Sequence, residues 1–385
     1  MSDTRTFRPM EVGKLNERHV LRVIQAAGAV SRADVVRRTG LSAPTVSKAV
    51  ASLLAAGLLE PADAGEPTRG RPAPRLRLAS EKVQVLGAVV DAGRCEVVSA
   101  GLDGVIHPAQ DTSFPTPATY AGLLSALEKR CRRLMAKPGV ATLGVGVSLP
   151  GLIDSGRGVG VFSPNVPMTN GHPPAADLGA RLELPAVLVQ ESQALCLSER
   201  YHGLAVGMSD FAMLDASVGV GLGVVSGGRP VQGHSGFAGE LGHVTVVADG
   251  GRACGCGNRG CLETECSDTA LAWRVGQRLG KAVTVEEALI AASPAELQAN
   301  VRYLAVAAAA VVNLFNPATL FVHTQLFDAF PGVFDEFVTE THRRALKPSF
   351  ADCRVVRAKG NKRQGAVAAV VQSLTNAVAD GAGFP

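Results

Sequence analysis

Three cysteines and one histidine stand within nineteen residues of this chain. His243 closes Gly239-Glu240-Leu241-Gly242-His243, and Cys254-Gly255-Cys256 and Cys261 follow in a glycine-rich stretch that ends Cys261-Leu262-Glu263. Three thiolates and an imidazole satisfy a closed tetrahedral Zn²⁺ site of the structural kind. The alternative is three free cysteines on a loop, but glycines that let the backbone fold around a small ion favour the metal. Two carboxylates, Glu240 and Glu263, are left beside the ligands. They are either solvated surface acids or part of a binding site.

A chain of 385 residues is too long for one ordinary core, so two or three domains are expected. The composition is that of a soluble globular protein poor in aromatics, with Trp273 as the single tryptophan. The apolar run Leu304 to Val312 falls short of a membrane span and reads as a buried helix, so no membrane partner is expected. The five further cysteines, Cys95, Cys131, Cys196, Cys266 and Cys353, are scattered and read as reduced thiols, which points to a cytoplasmic protein. The net charge of +4 is uneven. Residues 1–80 carry 13 Lys and Arg against 7 Asp and Glu, which leaves the remainder slightly acidic. A basic module appended to a neutral body is the pattern of a nucleic-acid-binding domain.

Local signals in those eighty residues describe the module. Val20, Val23, Ile24 and Ala27 fall on one helical face and Gly28 stops it. Ser31 to Asp34 is a variant capping box that opens a short second helix ending at Thr39-Gly40. Ser42 as N-cap and Pro44 in the first turn start a third helix, with Val46, Val50, Leu53 and Leu54 on its apolar face and Gly57 beyond its end. Ser42, Thr45, Ser47 and Lys48 at its exposed beginning would enter a major groove. A trihelical protein-interaction module is the alternative. Leu58 and Leu59 begin a strand, and Arg75 to Leu78 alternates like a returning one, so the segment between is a wing. Its Arg69 and Arg71 would reach phosphates or a narrow minor groove, or else are solvated linker charges.

Beyond residue 80, a strand Val83 to Val90 runs into Asp91-Ala-Gly93-Arg94-Cys95. A strand Val140 to Leu149 runs into Pro150-Gly151, a strand Val187 to Gln190 ends at Glu191, and Ser217-Val-Gly219-Val-Gly221-Leu-Gly223 forms a second glycine turn. This order, with the glycine-and-cysteine signature at 239–263, resembles the ROK family of sugar kinases and sugar-responsive repressors. The N-terminal module matches the repressors of the xylose and N-acetylglucosamine type. The resemblance covers nearly the whole chain.

It implies an α/β architecture: a winged helix-turn-helix over residues 1–80 joined to a two-lobed, actin-like or hexokinase-like domain over 81–385. It implies that His243, Cys254, Cys256 and Cys261 hold a structural zinc ion. Gly151, Asn165, Glu191, Glu240, His243 and Glu263 would then contact a sugar in a cleft. Thr169 stands near where many members of the family carry an aromatic. The expected function is a cytoplasmic, homodimeric or tetrameric regulator of sugar uptake or catabolism genes, most often a repressor, with operator DNA and a sugar or sugar phosphate as its partners. The alternative is a sugar kinase with an appended DNA-binding domain. Against catalysis, Gln190-Glu191 replaces the Asn-Asp pair of the kinases, Arg94-Cys95 and Ser217-Val218 replace Gly-Thr pairs at the two phosphate loops, and His323-Thr324-Gln325 replaces a glycine pair beside the adenine. A base displaced by about 1 Å can lose roughly a hundredfold in rate.

Overall fold

The computed structural model describes residues 9–62 and 74–380. The N-terminal module consists of α1 (Pro9–Ala27), β1 (Val30–Ser31), α2 (Arg32–Thr39), α3 (Ala43–Ala55), β2 (Leu59–Ala62) and β3 (Arg75–Leu78). Its caps follow the sequence. Ser31 accepts the Asp34 N–H while Asp34 returns to the Ser31 N–H, a complete capping box, and Gly40 ends α2 in the left-handed conformation. Ser42 caps α3 by accepting the Thr45 N–H. The expected wing strands pair antiparallel, Leu59 opposite Leu78 and Ala62 opposite Arg75. A two-residue strand, β1, adds to the far side of β3 and was not anticipated.

The rest of the chain runs β4 (Val83–Val89), β5 (Arg94–Ala100), β6 (Ser113–Pro115), α4 (Tyr120–Met135), β7 (Ala141–Leu149), β8 (Leu152–Asp154), β9 (Val159–Phe162), α5 (Pro174–Leu182), β10 (Ala186–Gln190) and α6 (Glu191–His202). Then come β11 (Phe211–Asp215), β12 (Gly221–Ser226), β13 (Arg229–Pro230), α7 (Glu263–Cys266), α8 (Asp268–Leu279), α9 (Val285–Ala291) and α10 (Pro294–Phe315). The series closes with β14 (Thr319–His323), α11 (Leu326–Ala329), α12 (Val333–Arg344), α13 (Lys347–Ala351), β15 (Arg354–Arg357) and α14 (Lys362–Asp380). The result is α/β, with two five-stranded sheets ordered β10-β7-β4-β5-β6 and β13-β12-β11-β14-β15. Each begins as an antiparallel meander and adds a strand parallel to the first, β7 on β4 and β14 on β11.

The chain forms two compact units. The first comprises residues 1–149, 173–189 and 362–385, so it holds the N-terminal module, the first sheet and α14. One apolar core runs through it: Val20, Leu21 and Ile24 of α1 join Val46, Val50 and Leu53 of α3, Val85 of β4, and Val367, Val370, Val371 and Leu374 of α14. α14 therefore has the sheet on one side and α1 on another. It lies close to the sheet because β7 offers no side chain at Gly146, where a Cβ would come within 2.0 Å of the Ala366 carbonyl oxygen.

The second unit comprises residues 150–172 and 190–361. Its core is built on the second sheet and α10, whose Leu304, Ala305, Ala308, Val311 and Val312 are all buried. Among the described residues α10 is the one helix long and apolar enough to cross a membrane by composition. Its apolar face is instead spent on this core, as the sequence reading expected.

Candidate metal centre and adjoining pocket

The segment between β13 and α7 has little regular structure of its own. Single bridges, Thr245 with Cys261 and Ala253 with Arg259, bring its two halves together. Gly239, at φ +103°, turns the chain directly over β12, where a side chain would meet the Leu222 carbonyl oxygen at 2.0 Å. This fold gathers His243, Cys254, Cys256 and Cys261 so that one ligand atom from each lies within 4.8 Å of all the others. Cys256 Sγ and Cys261 Sγ are 3.7 Å apart, and Cys254 Sγ is 3.7 Å from His243 Nδ1.

Metal–sulfur bonds of about 2.3 Å in a tetrahedron give ligand–ligand edges of about 3.8 Å. The two 3.7 Å edges match that figure, the rest are no longer than 4.8 Å, and the Cys256 and Cys261 sulfurs are far from disulfide distance. Burial pushes the Cys254 and Cys261 thiols above their ordinary range. For Cys256 the same burial is outweighed by the Asn258 N–H and the neighbouring thiols, and its thiol is lowered. A divalent cation bound here would deprotonate all three thiols. With His243 Nδ1 facing the cysteines, Nε2 faces Glu240 Oε2 at 3.7 Å.

On that side lies a pocket lined by Gly151, Ser163, Pro164, Asn165, Gln190, Glu191, Gly219, Val220, Gly221, Glu240, His243 and Glu263. All six residues expected to contact a sugar are among them, and all belong to the second unit. Their supports are distinct. Glu191 is the first residue of α6, where the positive end of the helix favours its charge, and the Gln190 side chain caps that helix by accepting the Ser192 and Gln193 N–H groups at 3.0 and 3.3 Å. Glu263 opens α7; its carboxylate accepts the Val220 N–H at 3.2 Å and lies 3.3 Å from Cys254 Sγ. Burial, with the Glu263 charge nearby, raises the Glu240 carboxyl against the opposing pull of His243.

Gly151 takes φ +94°, and a Cβ there would stand 2.4 Å from the Phe162 carbonyl oxygen. Thr169 is not in the lining: it is buried and donates to the Val166 carbonyl at 2.8 Å. Ser163 and Pro164, beside Asn165, line the pocket without having been assigned to it, as do Gln190, Gly219, Val220 and Gly221. The only sequence signal of these last four was their place at a strand end and in a glycine turn.

At the positions compared with kinase phosphate loops, Arg94 donates to Ser113 Oγ at 2.9 Å and Cys95 is buried. His323 Nδ1 lies 2.8 Å from Asp215 Oδ1, and Asp215 also accepts the Ser217 N–H. Thr324 Oγ1 donates to Asp268 at 2.5 Å and the Gln325 N–H at 2.9 Å. Burial raises the Asp268 carboxyl to about 6 despite those two bonds. His323 with Asp215 and Thr324 with Asp268 thus form two separate pairs.

In the N-terminal module Ser47 and Lys48 are exposed on α3, opposite buried Val46, Ala49 and Val50. Ser42 and Thr45 hold each other's hydroxyls at 2.8 Å at the helix start. Arg32 and Arg38 of α2 are also exposed. Arg75 and Arg77 are occupied by the Ala29 carbonyl and by Glu60 and Glu81. Arg69 and Arg71 lie outside the described residues.

Comparison with known proteins agrees in both parts of the chain. Residues 14–70 match the MarR family and residues 88–374 the ROK family. The xylose repressor of Bacillus spizizenii is 27% identical over 347 residues, covering 86% of this chain and 88% of that protein. The crystal structure of a ROK family transcriptional regulator, a homologue of the E. coli MLC protein, superposes with a TM-score of 0.79 at 23% identity, covering 96% of this chain and 98% of that one. The ROK hexokinase of Thermus thermophilus gives a TM-score of 0.63 at 26% identity, covering 76% of this chain and 99% of that one. With the ROK match running through most of its length, the chain belongs to the ROK family.

Proposed function

We propose that this ROK-family chain is a sugar-responsive transcriptional regulator, a repressor of genes for sugar uptake or catabolism. It would bind operator DNA as a homodimer, or as a tetramer built from dimers. The observation that carries the reading is the presence, on one chain, of a winged module with an exposed Ser47–Lys48 face and a pocket lined by Glu191, Glu240, His243 and Glu263. Carboxylates accept hydrogen bonds from neighbouring hydroxyls, which is how such a pocket would grip a sugar or sugar phosphate. Lys48, the exposed arginines of α2, and Arg69 and Arg71 would contact phosphates and set register, with Ser42, Thr45 and Ser47 near base edges.

The metal would be zinc in a structural role, since four protein ligands leave no position for substrate. It would fix the loop that carries Glu240 and His243, so the pocket would be ordered before a ligand arrives. The cavity is small, about 40 Å³, against roughly 300 Å³ or more for typical ligand sites. A sugar would have to widen it, and that movement is what an effector needs in order to favour one DNA-binding state over another.

We read the chain as a non-enzyme of the cytoplasm. Glu191 is one methylene longer than the aspartate of the kinases, and Asp215 bonds to His323 while Thr324 bonds to Asp268. The eight free thiols suit a reducing compartment. The test is a thermal-shift screen against D-xylose, N-acetyl-D-glucosamine, D-glucose and their phosphates, followed by operator binding with each hit. A sugar that raises the melting temperature and changes DNA affinity is expected. No shift with any sugar would sink the effector reading, and ATP-dependent phosphorylation of a hit would overturn the non-enzyme reading.

A further inference from the structure

Glu199, in the last turn of α6, is fully buried. A buried carboxylate is costly unless its lone pairs are met, and here three backbone N–H groups meet them. Lys359 and Gly360 donate to Oε1, the latter at 2.6 Å, and Leu204 donates to Oε2 at 2.7 Å. Beside it, Ser198 Oγ accepts the Asn361 N–H at 3.0 Å. The strap 359–361 lies flush on the helix: a Cβ on Gly360 would stand 2.7 Å from Ser198 Oγ. Residue 361 ends the second unit, and the next residue, Lys362, begins α14.

The other end of the same helix is Glu191, in the pocket lining. Glu191 and Glu199 are about 12 Å apart along one rigid element. The chain passes between the units at 149–150, 172–173, 189–190 and 361–362. Gly151, Gln190 and Glu191, all lining residues, stand within two residues of two of these crossings, and the last crossing is the one held by Ser198 and Glu199. α14, which starts there, carries α1 of the DNA-binding module in a shared core.

We propose that Glu199 is a positioning residue that transmits occupancy of the pocket to the DNA-binding module. It ties the strap 359–361 to α6, so that a displacement of α6 by a ligand at Glu191 redirects the first turn of α14. The proposal rests on the reading of the pocket as the effector site. A carboxylate suits the task because it holds two consecutive N–H groups of the strap with charge-assisted bonds, which resist slippage better than neutral ones.

The test uses the full chain, a duplex selected by the wild-type protein from a random pool, and the sugar from the panel above that raises its melting temperature most. Sugar affinity, sugar-free DNA affinity and the ratio of DNA affinities with and without sugar are measured for Glu199→Gln and for the milder Ser198→Ala, which removes the Asn361 bond. The wild-type ratio should fall in the usual coupling range of about 5–150-fold. In Glu199→Gln the ratio should collapse to below about twofold while the other two affinities stay within about threefold, a pattern that general destabilisation does not produce. If Glu199→Gln does not fold, Ser198→Ala decides, with the ratio reduced at least about threefold. A folded variant that keeps the wild-type ratio overturns the proposal. No sugar effect on the wild type would instead remove the effector reading, and the proposal with it, before any variant is compared.

Discussion

Gly146→Ala should loosen the first unit and leave the second intact. The added Cβ would stand 2.0 Å from the Ala366 carbonyl oxygen and 2.9 Å from its carbon, and ordinary contacts begin near 3.4 Å. The obstacle is helix backbone, so the methyl cannot be accommodated by a rotamer change; α14 must retreat by about 1.4 Å. A gap of 0.5–1 Å already forfeits roughly a quarter to a half of a dispersion contact. Val367, Val370, Val371 and Leu374 are all buried on α14, each contributing about 1.5–3 kcal/mol by burial. Losing close to half of that amounts to roughly 3–6 kcal/mol, against the ~5–15 kcal/mol by which a domain is usually stable.

Urea denaturation can separate the units, because Trp273, the single tryptophan, lies in α8 of the second. Circular dichroism should show a new early transition while the tryptophan fluorescence midpoint stays in place. DNA binding should weaken in parallel, since α1 rests on α14. Coincident and unshifted transitions would refute the packing argument.

Four other outcomes are expected. Gly13→Ala, on α1 with open space around the added carbon, should stabilise the first unit by about 0.5–1 kcal/mol through helix propensity; a loss measured by the same denaturation would contradict the helix there. Cys256→Ser should lower bound metal in native mass spectrometry and cost at least ~3 kcal/mol of the ~10–16 kcal/mol that structural zinc sites supply, and unchanged melting would count against a structural metal. Lys48→Ala should weaken DNA binding about equally across sequences and reduce the slope of log affinity against log salt by about 1; a change confined to one base position would assign Lys48 to base readout instead. Burial works against the Glu296 charge, but bonds from Arg278 and Ser293 outweigh it and hold the carboxyl at about 2, below its unfolded 4.5. The stability it provides is complete above pH 4.5 and is lost as pH falls toward 2. Glu296→Gln should therefore cost roughly 1–3 kcal/mol at pH 7 and progressively less below pH 4.5. A penalty that does not change with pH would assign the effect to packing.

The cluster of His243, Cys254, Cys256 and Cys261 was legible because its members are close in sequence and have few other uses together. The three N-terminal helices were legible for a similar reason: Ser31, Asp34, Ser42 and Gly40 mark helix ends through bonds to their own neighbours, and Gly28 through its left-handed backbone. What stayed hidden depends on distant partners. β1 is two residues long and exists because Val30 meets Leu76. Gly146 looks like an unfavourable residue in a strand until Ala366 is placed against it. Glu199 reads as an ordinary polar position on a helix, and its burial is set by a strap 160 residues further on. The Gln190 side chain looked like a degenerate kinase residue, yet it caps the helix that presents Glu191.

The shared core of α1 and α14 has a consequence for synthesis. Val20, Leu21 and Ile24 leave the ribosome more than three hundred residues before Val367, Val370 and Val371, which cover part of the same core. At about 5–20 residues per second, that apolar face waits roughly 20–70 s for its cover. A nascent or prematurely terminated chain would carry the helices that read DNA without the surface on which they are mounted. A properly seated DNA-binding module thus requires that α14 has already been made.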